Sequence, residues 1–156
     1  MKNGSKKEIP DIRIRPMIEA DLPVVLALER EIFPDPWPES GFLQQMSSFG
    51  WGAIVAESGG TITGYACYMM VAAEGHLTNI AVPEAHRRKL VAKRLLEAII
   101  QVIKKAGCEF ILLEVRPSNE AAIAFYRKYG FQDLYRRPRY YRYPVEDALV
   151  MVLHWD

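Results

Sequence analysis

The chain opens its ordered pattern with Ile12-Arg13-Ile14-Arg15, an apolar and polar alternation with the two-residue period of a half-buried strand. From Asp21-Leu22-Pro23 the period changes. Leu22, Val25, Leu26, Glu29, Ile32 and Phe33 recur at three-to-four spacing, which predicts a helix on that stretch. Phe33-Pro34-Asp35-Pro36-Trp37-Pro38 cannot extend it, because each proline removes an amide donor and restrains the residue before it. A rigid loop is expected there, followed by a short helix near Glu39 to Met46. Ala53 to Ala56, the turn Ser58-Gly59-Gly60 and Ile62 to Val71 read as a β-hairpin, with Leu77 to Val82 as a further strand, the three being antiparallel neighbours. After Pro83 and a basic turn, Val91, Leu95, Ile99, Val102 and Ile103 mark a helix that Gly107 stops. Phe110 to Leu113 is apolar throughout, as a buried strand would be, so strand, turn, helix and strand form a βαβ unit whose two strands run parallel. A helix over Asn119 to Lys128 and strands at Phe131 to Tyr135 and Ala148 to Leu153 complete the pattern. The expected fold class is a mixed α/β sheet, antiparallel first and partly parallel later, with helices on its faces.

At 156 residues, half of them hydrophobic, the chain suits one domain over residues 11–156, preceded by a polar lead-in over residues 1–10. A net charge of +1 provides no global attraction to nucleic acid or membrane, so phosphate binding has to come from a local cluster. Cys67 and Cys108 form no CxxC pair and sit in apolar surroundings, as inert core thiols of a reduced cytoplasmic protein do. The basic start is broken by Glu8 and Pro10 where an export signal needs an apolar run, and no stretch approaches membrane-spanning length. His76, His86 and His154 show no ligand spacing, so no metal is expected.

Two stretches carry candidate chemistry. In the first, Ile80-Ala81-Val82 runs through a turn into a helix, an arrangement that binds phosphate through free amides and the positive end of the helix dipole. Arg87, Arg88, Lys89, Lys93 and Arg94 gather five positive charges around that turn. A solvated helix start is the plain alternative, but cations are disfavoured at a helix N-terminus, so a cluster there points to an anion. In the second, Glu114 closes an apolar strand at the end where α/β sheets place ligands, and Tyr126 follows twelve residues later on a helix. Taken singly, Glu114 could simply pair with Arg116 or another arginine at the sheet rim, and Tyr126 could be a packing aromatic beside Ile123.

Arg87-Arg88-Lys89-Leu90-Val91-Ala92 resembles the pyrophosphate loop of the GNAT superfamily of acetyltransferases, whose pattern is Arg or Gln, two residues, Gly, one residue, then Gly or Ala. Leu90 departs from it, standing at the first glycine. A left-handed residue there would cost about 1–2 kcal/mol, whereas a right-handed one starting the helix would cost nothing. Leu113-Glu114-Val115-Arg116-Pro117-Ser118-Asn119, continuing to Tyr126 and Gly130-Phe131, closely resembles the corresponding segment of the RimI-type enzymes of that superfamily. The resemblance runs over residues 12 to 154. It implies the GNAT fold and acetyl transfer from acetyl-CoA, as co-substrate, to the N-terminal α-amine of a protein or peptide, a ribosomal protein among the candidates. It assigns Glu114 as base, Tyr126 as the acid that protonates the departing thiolate, and Asn119 as a cofactor contact. Ile80, Ala81 and Val82 would hold the pantetheine and acetyl group, and Arg87, Arg88, Lys89, Leu90, Val91, Ala92 and Lys93 the pyrophosphate. Trp37, Tyr140 and Tyr141 would line the peptide cleft.

An α-amine, with a pKa near 8, gives up only ~1.4 kcal/mol to become neutral at pH 7, against ~4.6 kcal/mol for a lysine, so a modest carboxylate base suffices. The interleaving of Tyr140, Tyr141 and Tyr143 with Arg136, Arg137, Arg139 and Arg142 also admits an RNA-stacking surface, although no direct nucleic-acid contact is expected. A small-amine acetyltransferase and a weakly active acyl-CoA-binding module are also compatible with these residues. Neither a membrane partner nor an assembly beyond a monomer or dimer is expected.

Overall fold

A computed structural model describes residues 11–88 and 90–155; the expected lead-in, Lys89 and Asp156 lie outside the described residues. Seven strands form one sheet: β1 (Arg13–Pro16), β2 (Trp51–Ser58), β3 (Thr61–Val71), β4 (Glu74–Ala81), β5 (Phe110–Val115), β6 (Gln132–Arg142) and β7 (Val145–His154). Four helices cover it: α1 (Leu22–Ile32), α2 (Glu39–Ser47), α3 (Val91–Lys105) and α4 (Glu120–Lys128). The strand order is β1-β2-β3-β4-β5-β7-β6. Every pairing is antiparallel except β4 with β5, the parallel step expected of the βαβ unit.

Strand alternation sends neighbouring side chains to opposite faces, and two cores result. Ala53, Val55, Tyr65 and Cys67 join Leu22, Val25 and Phe42 beneath α1 and α2. Ala56, Ala66, Leu77, Ile111, Leu113 and Val115 join Leu95, Ile99, Ile103, Ile123 and Tyr126 beneath α3 and α4. The start of α3 lies close against β3 at Gly64, where a Cβ would come within 2.9 Å of Val91 Cγ1. Glycine there fixes how near the basic turn sits to the sheet. Both cysteines are buried and free. No helix among the described residues is long and apolar enough to cross a membrane.

The strand order and two boundaries go beyond the sequence reading. β7 inserts between β5 and β6, so the chain's last strand, not its penultimate one, borders the strand that carries Glu114. β4 begins three residues before Leu77. β6 runs on to Arg142, well past Tyr135, with its ladder to β7 interrupted between Arg137 and Tyr141. Nearly every residue of β6 is exposed, and an edge strand without a buried face leaves no apolar alternation to read.

Candidate active site

β4 and β5 are paired only from Glu74 with Phe110 to Leu77 with Leu113. Beyond that point they part. The bulge that skips Thr78 in the β3 to β4 ladder sits where the parting begins. From Thr78 to Ala81 the β5-facing edge of β4 has no ladder partner, which leaves strand amides free for a ligand. The opening belongs to a cleft of about 1040 Å³ lined by Ile80, Arg87, Glu114, Asn119 and Tyr126, by Trp37 of the loop after α1, and by Tyr140 and Tyr141 of the β6 to β7 hairpin.

Glu114 and Tyr126 reach this cleft from opposite sides. Leu113 and Val115 point into the core under α3 and α4, so Glu114, between them, points to the other face. Tyr126 belongs to that same core, 6% exposed, in edge contact with Phe131 at 5.5 Å. The two side chains therefore flank the gap. Burial, with Tyr141 nearby, pushes the Tyr126 phenol well above its ordinary value, which keeps its proton in place at neutral pH.

Glu114 is paired, though not with Arg116. Arg137 Nη1 lies 3.4 Å from Glu114 Oε1, and Arg137 Nη2 also donates to the Tyr135 hydroxyl at 3.4 Å. Arg116 instead closes the hairpin. Its Nη1 and Nη2 donate to the Pro144 and Tyr143 carbonyls at 2.9 and 3.1 Å, Nη1 lies 3.4 Å from Glu146 Oε1, and its guanidinium covers the Tyr141 ring at 4.2 Å. Glu146 in turn accepts from the Ser118 amide and hydroxyl, each at 2.8 Å. Although desolvation pulls the other way, the Ser118 bonds and Arg116 hold the Glu146 carboxyl below its ordinary range. Partial burial and the neighbouring Glu114 carboxylate push the Tyr140 hydroxyl up to about 12. Tyr140 and Tyr141 meet edge to face at 5.0 Å.

The basic turn is less convergent than its sequence suggests. Arg88 and Leu90 are both left-handed, with φ of 62° and 68°, and Leu90 is the residue before the first turn of α3. Arg94 N donates to Leu90 O at 3.0 Å as the first intrahelical bond, so the amides of Val91, Ala92 and Lys93 are the free donors of a helix start. Arg87 Nε is held by the Val82 carbonyl at 3.0 Å and Arg88 is exposed. Lys93 instead approaches Glu97 at 3.9 Å, and Arg94 donates to the Ile12 carbonyl at 3.1 Å. Val91 and Ala81 are buried at 3% exposure each, so their side chains are core and only their backbone can serve a ligand. Asn119 Oδ1 caps α4 by accepting from Ala122 N at 3.2 Å, leaving its amide NH₂ for other work.

Several cleft residues escaped sequence reasoning. Glu29, 1% exposed, is in the wall; its only signal was a charge at an apolar position of the α1 stripe. Gln45 and His76 line the same wall, and nothing in their local sequence marks them. Among the described residues, Gln45 Oε1 and Thr78 Oγ1 are buried and have no hydrogen-bond partner. Among the described residues, no group of three or more His, Cys, Asp or Glu side chains is placed to hold a metal ion.

Known proteins resemble this chain in sequence and fold. The profile of the family described as Acetyltransferase (GNAT) family matches residues 22–131. The chain is 35% identical over 140 residues to an uncharacterized N-acetyltransferase of Methanocaldococcus jannaschii, with 89% of each chain covered. It is 33% identical over 146 residues to the N-alpha-acetyltransferase RimI of Mycobacterium tuberculosis, with 90% of each covered. The crystal structure of the ribosomal-protein-S18-alanine N-acetyltransferase from Escherichia coli matches the fold with a TM-score of 0.83 at 32% identity, over 92% of this chain and 93% of that one.

Proposed function

The chain belongs to the acetyltransferase (GNAT) family, and from that premise we propose that it transfers an acetyl group from acetyl-CoA to the N-terminal α-amine of a protein, with a ribosomal protein as the first candidate. The observation that carries this reading is the pair Glu114 and Tyr126, flanking one gap between parted strands from opposite faces of the sheet. A pure acyl-CoA-binding module has no use for such a pair. The relative at 33% identity that is named an N-alpha-acetyltransferase supports the α-amine as acceptor.

The residues present fit acetyl-CoA. The unpaired edge of β4 at Ile80 and Ala81, with Val82 just after it, offers amides to the pantetheine and the acyl carbonyl, and the amides at the start of α3, with Arg87 and Arg88, offer an anion site for the pyrophosphate. When bound, acetyl-CoA supplies a thioester already activated toward amines. Trp37, Tyr140 and Tyr141 wall the approach and hold the peptide's first residues in line with the gap. Glu114 takes the proton that the attacking amine loses, directly or through water, while Tyr126 donates its phenolic proton to the departing sulfur. Amides of β4, aimed at the carbonyl oxygen, stabilise the charge that develops there. Two free thiols fit the reducing cytoplasm.

Steady-state release of free thiol from acetyl-CoA, with peptides beginning in Ala, Ser or Met, tests this reading. Turnover should require a free N-terminus and should be slight with small amines. Equal turnover with small amines would move the chain to another branch of the family.

A further inference from the structure

Glu29 is a buried carboxylate, and among the described residues it forms no ion pair. Its Oε1 accepts from the Tyr65 hydroxyl at 2.9 Å and from Asn79 Nδ2 at 2.8 Å, and its Oε2 accepts from the Trp37 amide at 3.1 Å. These donors come from β3, from β4 and from the proline-rich loop. Burying a charge among strands is costly unless donors surround it, and an apolar residue would fill this stripe position of α1 more simply. The arrangement therefore needs a reason beyond packing.

Its place supplies one. Asn79 directly follows the Thr78 bulge and precedes Ile80, so its side-chain bond to Glu29 fixes the section of β4 that has lost its partner strand. Trp37 stands at the other end of the same carboxylate, its ring against Phe42 at 5.4 Å and its surface on the cleft. The prolines on either side, Pro36 and Pro38, lack amide hydrogens, so the Trp37 N–H is the one backbone donor through which residues 36 to 38 can be tied to the core. We propose that Glu29 is a positioning residue that locks the acceptor-side wall at Trp37 to the acyl-side strand at Asn79, holding in place the surface on which the acceptor peptide seats. This rests on the reading of the chain as a peptide acetyltransferase. Glu29 touches neither reactant in the proposed step.

Glu29→Gln separates the bonds. Its amide oxygen can still accept from Tyr65 and Asn79, but its NH₂ would face the Trp37 N–H, donor against donor. The KM for an acceptor peptide should rise about ten-fold, while kcat, the Kd for acetyl-CoA and the melting temperature stay close to wild type. Tyr65→Phe, which removes a bond to the same carboxylate without touching Trp37, should leave the peptide KM within about two-fold. An unchanged KM in Glu29→Gln overturns the proposal, as does a fall in kcat that tracks a fall in melting temperature, the mark of a merely structural role. Hydrogen exchange at the Trp37 amide of the wild-type protein keeps the test independent of variant folding and of activity. Protection supports the lock, and exchange at the rate of a free loop amide overturns it. If wild type acetylates no peptide, the functional reading fails, and the exchange measurement still decides whether the lock exists.

Discussion

Leu90 offers a perturbation whose outcome separates strain borne by folding from strain borne by binding. With φ at 68° and ψ at 7° it is left-handed. A side chain at such a position costs about 1–2 kcal/mol. Glycine escapes that cost and loses about 0.5–1 kcal/mol through the greater freedom of its unfolded state. The Leu90 side chain is 52% exposed, so burial is best removed from the comparison by using Leu90→Ala as the reference. Leu90→Gly should then be more stable than Leu90→Ala by about 0.5–1 kcal/mol, which for a chain of this length is a melting temperature about 1–4 °C higher. Leu90 O accepts the first intrahelical bond of α3 from Arg94 N, which ties the left-handed form to the fold of the helix start, so the strain is spent in folding. The affinity of Leu90→Gly for acetyl-CoA should stay within about three-fold of wild type, short of the five- to thirty-fold that 1–2 kcal/mol would give if binding bore it. Thermal denaturation and calorimetric titration read the two quantities. A Leu90→Gly protein no more stable than Leu90→Ala would refute the left-handed assignment, and a ten-fold gain in affinity would refute the preformed loop.

Further consequences are as direct. Tyr126→Phe keeps the ring in its core and removes the proton donor, so kcat should fall about a hundred-fold or more with acetyl-CoA affinity unchanged; an equal loss in both would make Tyr126 a binding residue. Arg116→Ala frees the hairpin from its carbonyl bonds at Tyr143 and Pro144, and since hydrogen bonds from a charged group contribute about 1.5–3 kcal/mol, peptide KM should rise at least ten-fold while acetyl-CoA affinity holds. Asp21 accepts both terminal nitrogens of Arg15 at 2.8 Å, and these bonds outweigh desolvation to hold its carboxyl below the ordinary range. Ionised Asp21 therefore stabilises the fold above the unfolded-chain pKa of about 3.9, and that contribution disappears as pH falls through the lower folded value. Urea denaturation of Asp21→Asn against wild type should show a gap of about 1–3 kcal/mol at pH 7 that narrows below about pH 4; a gap independent of pH would refute the pairing.

Much of this was legible in the chain, for reasons that differ by residue. The α1 and α3 stripes, the proline loop and the βαβ unit are local patterns, and local patterns survive into the fold. Glu114 stood out as a carboxylate ending an apolar strand, and Tyr126 through its spacing from it within a recognised motif. Insertion of β7 between β5 and β6 depends on pairing between distant strands, which no local period records. The hand of Leu90 turns on backbone geometry: the glycine of the family pattern favours the left-handed form and leucine disfavours it, so the sequence left both hands open. Arg137 as the partner of Glu114 follows from the reach of an exposed edge strand, and Arg116, nearer in sequence, was drawn off by Glu146 and two carbonyls. Glu29 was visible only as a misplaced charge, because what justifies it lies on three other elements.

The central claim is that the acetyl group goes to an α-amine. Tandem mass spectrometry of a peptide carrying both a free N-terminal alanine and an internal lysine, after incubation with the protein and acetyl-CoA, tests it most directly. The account predicts acetyl on the terminal nitrogen, with the lysine unmodified and the product lost when Glu114→Gln replaces the wild type. Acetyl on the lysine, or terminal acetylation undiminished in Glu114→Gln, would contradict it.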